Sequence, residues 1–379
     1  GKIDGATDID KDGILDAFDT DTVNFGSPRN LERKLHIEFD GRNDYAQDIN
    51  VINGWNNASL MGWININNAF SSEGIVFGQD KIHVKIDNSL QLVAKANSTT
   101  LTHAIPLTKS QWIHIGVVYD SDNSLLKLYL NGEMVNSTTI SGNLSTDNSL
   151  FTIGKDALTN TKYFFGKVDE VRLFNIALTN AQFQKIVYQE IMNNAGQTMG
   201  AIIPKNIPSL PWNNLVRYFK MDNYKHNIID DHSTLTIDNG IGAKIYNVKE
   251  IKTQQAPMPF ITEQTGTFGI ASNSTSKEIR GLDVEEYSWS IIHAKHNITS
   301  TINTTNLGLL VDAGVLIQIQ NDAKIQNDWY LNLNGKIDLQ GRSQLVQTID
   351  SDLAPTSAGS IEKDQQGTTN KFNYNYWSS

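Results

Sequence analysis

From about Leu35 to Phe174 the chain alternates apolar and polar residues in short runs separated by Gly, Asn, Asp and Ser, the period-two signal of half-buried β-strands. Ser59-Leu-Met-Gly-Trp-Ile-Asn-Ile66, Trp112-Ile-His-Ile-Gly-Val-Val-Tyr119 and Leu125-Leu-Lys-Leu-Tyr-Leu130 place β-branched and aromatic residues at strand spacing. Asn131-Gly132 predicts a tight hairpin over Leu128–Val135, because both residues tolerate the positive φ of a two-residue turn. Thr179-Asn-Ala-Gln-Phe-Gln-Lys-Ile-Val-Tyr188 predicts a capped amphipathic helix that closes this region. Beyond Gly196 the pattern changes. Pro204, Pro208 and Pro211 predict a linker over residues 193–211, and Trp212 opens a second β-rich region running to residue 379. Between residues 300 and 350 short apolar strands recur with Gly and Asn at the corners, which predicts solenoid-like stacking. The expected fold class is all-β: a sandwich over 31–192, then a β-rich, solenoid-like region over 212–379.

The first 30 residues read differently. Between Asp8 and Asp21 the run is Asp-Ile-Asp-Lys-Asp-Gly-Ile-Leu-Asp-Ala-Phe-Asp-Thr-Asp. Oxygen ligands at positions one, three and five (Asp8, Asp10, Asp12), a glycine at six (Gly13), a backbone carbonyl at seven (Ile14) and a carboxylate at twelve (Asp19) follow the ligand order of an EF-hand calcium loop. Asp16 and Asp21 add further acids, Asp rather than Glu stands at position twelve, and the loop lacks a preceding helical pattern. Ca2+ is the expected cofactor. An all-oxygen site of this kind suits millimolar extracellular calcium, so an extracellular location follows as an expectation.

Composition narrows the classes. With 379 residues the chain has length for two or three domains. The absence of cysteine excludes disulfides, thiolate metal sites and cysteine nucleophiles. A formal net charge of −10 and no basic stripe argue against a nucleic-acid surface. No apolar run reaches the roughly 20 residues of a membrane helix. A start at Gly1 and an aromatic-rich end (Tyr374, Tyr376, Trp377) suggest an internal piece of something longer.

Several motifs occur in order: Phe39-Asp40-Gly41-x-x-Asp44-Tyr45, Gly62-Trp63, Trp112-Ile-His114 with Val118-Tyr119-Asp120, Leu128-Tyr-Leu-Asn-Gly132, Phe151-Thr-Ile-Gly154, and Phe165-Gly-Lys-Val-Asp169-Glu-Val-Arg172-Leu-Phe-Asn175-x-Ala177-Leu178. Over residues 31–192 they resemble a laminin-G-like, concanavalin A-like jelly roll. The acidic run resembles a thrombospondin type 3 repeat, and the stretches Asp328–Gln347 and Glu362–Ser379 are similar in style to type IX-secreted surface proteins of gliding Bacteroidota. The resemblance implies a second calcium near the edge where first and last strands meet, with Asp40, the Gly41 carbonyl and Asp169 as the matching ligands. The residues alone allow a plainer reading, in which Asp40 caps the Asp-Gly turn and Asp169 bonds backbone amides.

Jelly rolls of this kind include glycanases, whose chemistry requires paired carboxylates. The Glu-x-Asp-x-x-Glu run of the related glucanases is absent. Asp169 and Glu170 are expected on opposite faces of a strand, and Asp283 and Glu285 share a face without a third acid. His293 and His296 read as ordinary polar positions, and no nucleophile elbow or phosphate loop occurs. Trp55, in a Gly-Trp-Asn-Asn turn beside Asn56, is the candidate to stack on a pyranose ring. The expectation is a non-catalytic segment of a calcium-stabilised cell-surface adhesin that binds glycan or protein. The alternative is an accessory carbohydrate-binding region of a secreted polysaccharide-degrading enzyme; a spacer without ligand is the third.

Overall fold

The computed structural model describes residues 34–234, 240–268 and 288–364. It divides into two compact units, one of residues 1–182, 193–198 and 208–256, the other of residues 183–192, 199–207 and 257–379. The run from Asp8 to Asp21 lies outside the described residues.

In chain order the first unit opens with β1 (Leu35–Asp40), β2 (Tyr45–Gln47), β3 (Asn57–Ile66), β4 (Gly74–Gln79), β5 (Ile82–Ile86) and β6 (Leu92–Ala96). There follow β7 (Thr99–His103), β8 (Trp112–Asp120), β9 (Leu125–Leu130), β10 (Glu133–Thr139), β11 (Thr152–Ile153) and β12 (Phe165–Phe174). Next in the chain come the helix α1 (Asn180–Val187) and the strands β13 (Ile191–Asn194), β14 (Gln197–Gly200) and β15 (Asn206–Pro211), whose residues are divided between the two units. Strands β16 (Leu215–Phe219), β17 (Tyr224–Lys225), β18 (Ile228–Asp230), β19 (Gly242–Tyr246) and β20 (Glu250–Thr253) complete the unit. One sheet runs β10-β9-β8-β3-β12-β1-β20 with β16 also on β12; the other runs β17-β18-β19-β2-β11-β4-β5-β6-β7. Their facing sides bury Ile37, Leu60, Ile64, Phe77, Val84, Ile115, Val117, Phe151 and Leu173 in a single core. This is the jelly-roll sandwich expected from the alternating pattern.

Local signals hold where they were strongest. Asn131 and Gly132 have φ of 52° and 91°, so the β9–β10 turn takes the left-handed backbone that Asn-Gly permits. Thr179 caps α1: its Oγ1 accepts from the Gln182 amide at 3.2 Å while the Gln182 Oε1 accepts from the Thr179 amide at 3.0 Å. Trp63 and Trp112 are fully buried.

The expected linker is instead the three strands β13-β14-β15, and Pro208 and Pro211 lie on β15, at the edge of that sheet. Edge position removes the cost of a missing N–H, which is why the prolines do not interrupt pairing. The second difference is larger: residues 215–253, expected to begin a separate region, supply five strands to the sandwich. Phe219, Met221, Tyr224, Ile229 and Ala243 belong to the same core as Ile37 and Phe77.

A buried ionic cluster fixes the first of these strands. β12 carries a bulge, with Trp63 opposite Asp169 and Met61 opposite Arg172, so that Gly62 faces two residues. Glu170 takes a φ of 53° there. The bulge interrupts strict alternation at these two acids, and Asp169 and Glu170 are both fully buried. Glu170 Oε2 pairs with Arg172 Nη2 and accepts from the Tyr218 hydroxyl at 2.5 Å. Arg172 lies opposite Tyr218 in the β12–β16 register, its guanidinium 5.1 Å from the ring centre. Asp231 Oδ1 accepts from the Tyr218 amide at 2.9 Å.

In the second unit, the later strands are β21 (Phe260–Ile261), β22 (Ile291–Ala294), β23 (Ile298–Ser300), β24 (Thr304–Val311) and β25 (Leu316–Ile319), then β26 (Lys324–Leu333), β27 (Lys336–Leu339), β28 (Gln344–Gln347), β29 (Asp352–Leu353) and β30 (Ser360–Lys363). They pair in parallel as β21-β22-β24-β26-β28 and β23-β25-β27-β30, with β29 also on β26. Like residues stack in columns: Ile298, Ile317, Ile337 and Ile361 follow one another, as do Ile292, Leu309, Leu331 and Leu353. The buried Asn327 amide donates to Asn306 one coil earlier at 2.8 Å. This is the β-solenoid anticipated from the corner residues.

Arg172→Met leaves Glu170 as a buried charge without its partner, and should destabilise the first unit by about 3–5 kcal/mol. The double change Glu170→Leu with Arg172→Met should recover most of that loss in urea unfolding. A double variant less stable than the single one contradicts the assignment.

Candidate functional site

The alternation that builds the core also builds an aromatic patch. Ala46 and Ala243 point into the core, so Tyr45, Gln47, Lys244 and Tyr246 point to the outer face of the nine-stranded sheet. Tyr246 pairs directly with Tyr45 across β19–β2, and Lys244 with Gln47. The Tyr45 and Tyr246 rings stack at 4.5 Å with an interplanar angle of 11°, and Tyr163 lies tilted 6.5 Å from Tyr45. All three are half-buried. The crowding of phenols raises the Tyr45 hydroxyl above its ordinary range, through burial first and its two tyrosine neighbours second.

Lysines flank the rings. Lys155 Nζ stands 4.5 Å from the Tyr45 ring centre and donates to Asn160 Oδ1 at 3.0 Å; Lys244 Nζ stands 5.2 Å from that of Tyr246. Burial lowers the Lys155 ammonium below its usual value, with nearby Asp156 opposing the effect. On the same sheet Lys85 and Lys162 pair with Glu73, Lys81 and Lys95 pair with Asp80, and His83 is held neutral near pKa 4 by burial. Half-exposed tyrosines rimmed by amide and ammonium donors suit a polyhydroxylated ring, whose apolar C–H faces pack on aromatics while hydroxyls take hydrogen bonds.

Trp55 stands elsewhere. It precedes β3, at the end of the sandwich where Ser59 pairs with Phe174, and its side chain packs half-buried against the core. Its carbonyl accepts from the Leu144 amide at 2.9 Å. The indole thus has one part against the core and one part exposed, and the neighbouring Asn56 is exposed.

The proposed second calcium set is not brought together. Asp40 pairs with Phe165 whereas Ile37 pairs with Val168, which puts Asp169 about four residues, or roughly 13 Å, along the sheet from Asp40. Asp40 Oδ1 instead accepts from the amides of Arg42 and Asn43 at 2.8 and 3.2 Å. Gly41 serves the turn: its φ is +70°, and a Cβ there would fall 2.6 Å from that of Phe165. The residues therefore do not fit one shared ion. Among the described residues no group of three or more His, Cys, Asp or Glu is arranged to hold a metal. His293 Nε2 meets Asp312 Oδ1 at 2.7 Å and His296 Nδ1 meets the Thr262 carbonyl at 2.9 Å, the ordinary polar roles expected.

Residues 40–184 match the family model described as the concanavalin A-like lectin/glucanases superfamily. These residues form a concanavalin A-like jelly roll. No curated protein matches the chain. Among solved structures it is similar to a protein from Bacteroides ovatus with a provisional carbohydrate-binding assignment, at 20% identity and a TM-score of 0.46 over 60% of this chain and 62% of that one. The chain thus spans less than two thirds of that structure's length. It is also similar to domain 4 of an extracellular arabinanase from Geobacillus stearothermophilus solved with arabinotriose (19% identity, 40% of this chain and 76% of that one, TM-score 0.33). The sialidase CBM40 domain of Ruminococcus gnavus bound to α2,3 sialyllactose matches at 12% identity (40% and 96%, TM-score 0.33). These likenesses are of fold.

The tyrosine patch escaped the sequence reading because its third member belongs to a strand assigned to another region. Gly242-Ala-Lys-Ile-Tyr246 carries the alternation that could have exposed it.

Asp44 adds a titratable oddity at the start of β2. Burial, and then the charge of Asp40, raise its carboxyl to about 6 from 3.8. The folded state therefore holds a proton between about pH 4 and 6 that the unfolded chain has released, so this residue's contribution to stability falls as pH rises through that window. Asp44→Asn should raise the melting temperature by a few degrees at pH 8 and leave it unchanged at pH 4. Calorimetric scans at both pH values check this; an equal shift at both would contradict it.

Proposed function

We propose that the jelly roll is a non-catalytic glycan-binding module whose contact surface is the Tyr45–Tyr163–Tyr246 patch with Lys155 and Lys244. The observation that carries this reading is the half-exposed tyrosine cluster on the outer sheet face of a concanavalin A-like sandwich. The non-catalytic part rests on the fate of the acids: Asp169 and Glu170 are buried, and Glu170 is tied to Arg172. The parent protein is read as an extracellular adhesin in which the Asp8–Asp21 run binds calcium and stiffens the segment before the sandwich. No helix among the described residues is long and apolar enough to cross a membrane. The accessory role in a polysaccharide-degrading enzyme remains the second reading of the same surface, favoured by the lectin and glucanase scope of the family match.

A glycan array probed with the full chain tests the proposal. Tyr246→Ala should weaken binding at least tenfold, about 1.4 kcal/mol, whereas Trp55→Ala should leave specificity intact while lowering stability. Chelation, or Asp10→Ala with Asp12→Ala, should abolish calcium uptake without erasing glycan binding. Binding that survives Tyr246→Ala and disappears with Trp55→Ala moves the site from the sheet face to the end of the sandwich that holds Trp55; no binding to any glycan favours a spacer.

A further inference from the structure

A second feature of the first unit carries a separate ligand chemistry. A cavity of about 310 Å³ opens between the Asp40–Asp44 turn and the start of β20, lined by Glu38, Phe39, Asp40, Asp44, Asn67, Phe165, Lys249 and Glu250. Its size is near the lower limit for small-molecule sites and corresponds to about one sugar ring. Asp44 is 3% exposed; its Oδ2 accepts from the Asp40 amide at 3.1 Å, but its Oδ1 has no hydrogen-bond partner among the described residues. A buried carboxylate oxygen with nothing to accept from is costly, about 1–3 kcal/mol or more, and such a cost is retained where a ligand relieves it.

The charges around the cavity define that ligand. Glu38 and Glu250 both hold Lys252, at 3.0 and 2.6 Å. Asp40 has spent Oδ1 on the turn amides. Four carboxylates thus face Lys249 and Lys252, leaving an excess of negative charge centred on Asp40 and Asp44. The missing partner is a cationic donor. A bare metal ion fits poorly, since no group of three acidic or histidine ligands is assembled among the described residues. The half-buried ring of Phe165 instead offers surface to a carbon skeleton.

We infer that this cavity binds a primary ammonium group carried on a small polar ring, such as an amino sugar, with Asp44 Oδ1 as the acceptor of its N–H. The inference goes beyond the glycan-binding reading and stands or falls apart from it, because Tyr246 does not line the cavity.

Glucosamine titrated calorimetrically into the full chain is the test, with N-acetylglucosamine, glucose and calcium chloride as comparison probes. The expected result is saturable glucosamine binding, at least tenfold tighter than either neutral sugar, lost by tenfold or more in Asp44→Asn and unchanged in Tyr246→Ala. Asn is nearly isosteric and can still accept from the Asp40 amide, and thermal melting confirms that the variant folds. Absence of glucosamine binding, binding equal to that of glucose, or binding retained in Asp44→Asn overturns the inference. Calcium binding that Asp44→Asn removes and glucosamine does not compete with also overturns it, making the site metallic.

Discussion

The arrangement of the first unit depends on one buried ion pair and the hydroxyl that joins it. Glu170 and Arg172 lie on β12, an interior strand of the eight-stranded sheet, and are fully desolvated, so each needs a partner close by. Tyr218, 48 residues after Glu170 in the chain, donates a further hydrogen bond to it and places β16 against β12. Once β16 is held there, Asp231 fastens to the Tyr218 amide, and Arg217 reaches Asp48 at 2.6 Å and Asp231 at 3.4 Å. The chain is thereby returned to β2, beside which β19 pairs. Polar satisfaction in the interior thus decides which strands complete the sandwich, while the apolar core supplies most of the driving force.

That return path also creates the surface to which function is assigned. Tyr45 comes from the motif region and Tyr246 from β19, some two hundred residues downstream; neither forms the patch without the other. The acidic cavity has the same composite origin, with Asp40 and Asp44 on the early turn and Lys249 and Glu250 at the late strand. Both features sit where the downstream strands close on the early ones.

The legibility of these features in the sequence follows the range of the interactions involved. Alternation in Trp112–Tyr119, the Asn131-Gly132 turn and the Thr179 cap are set by neighbours within a few residues, and each appears as read. Corner residues around Gly314 and Gly335 signalled the coils of the solenoid for the same reason. Pro208 and Pro211 misled because proline reports only a missing N–H, and a sheet edge does not require that donor. The membership of β16 to β20 was hidden because it is specified by Glu170–Arg172–Tyr218, a contact that no local pattern encodes. Asp40 and Asp169 were grouped by motif position, whereas the β1–β12 register holds them apart.

The central claim is that residues 215–253 are integral strands of the jelly roll. Native-state hydrogen exchange tests it most directly. The account predicts that the amides of Tyr218, Asp230 and Ile245 exchange with the same opening free energy as those of β3 and β8, and that the whole set loses protection together in Arg172→Met. Faster, independent exchange of residues 215–253 while β3 and β8 stay protected would contradict it.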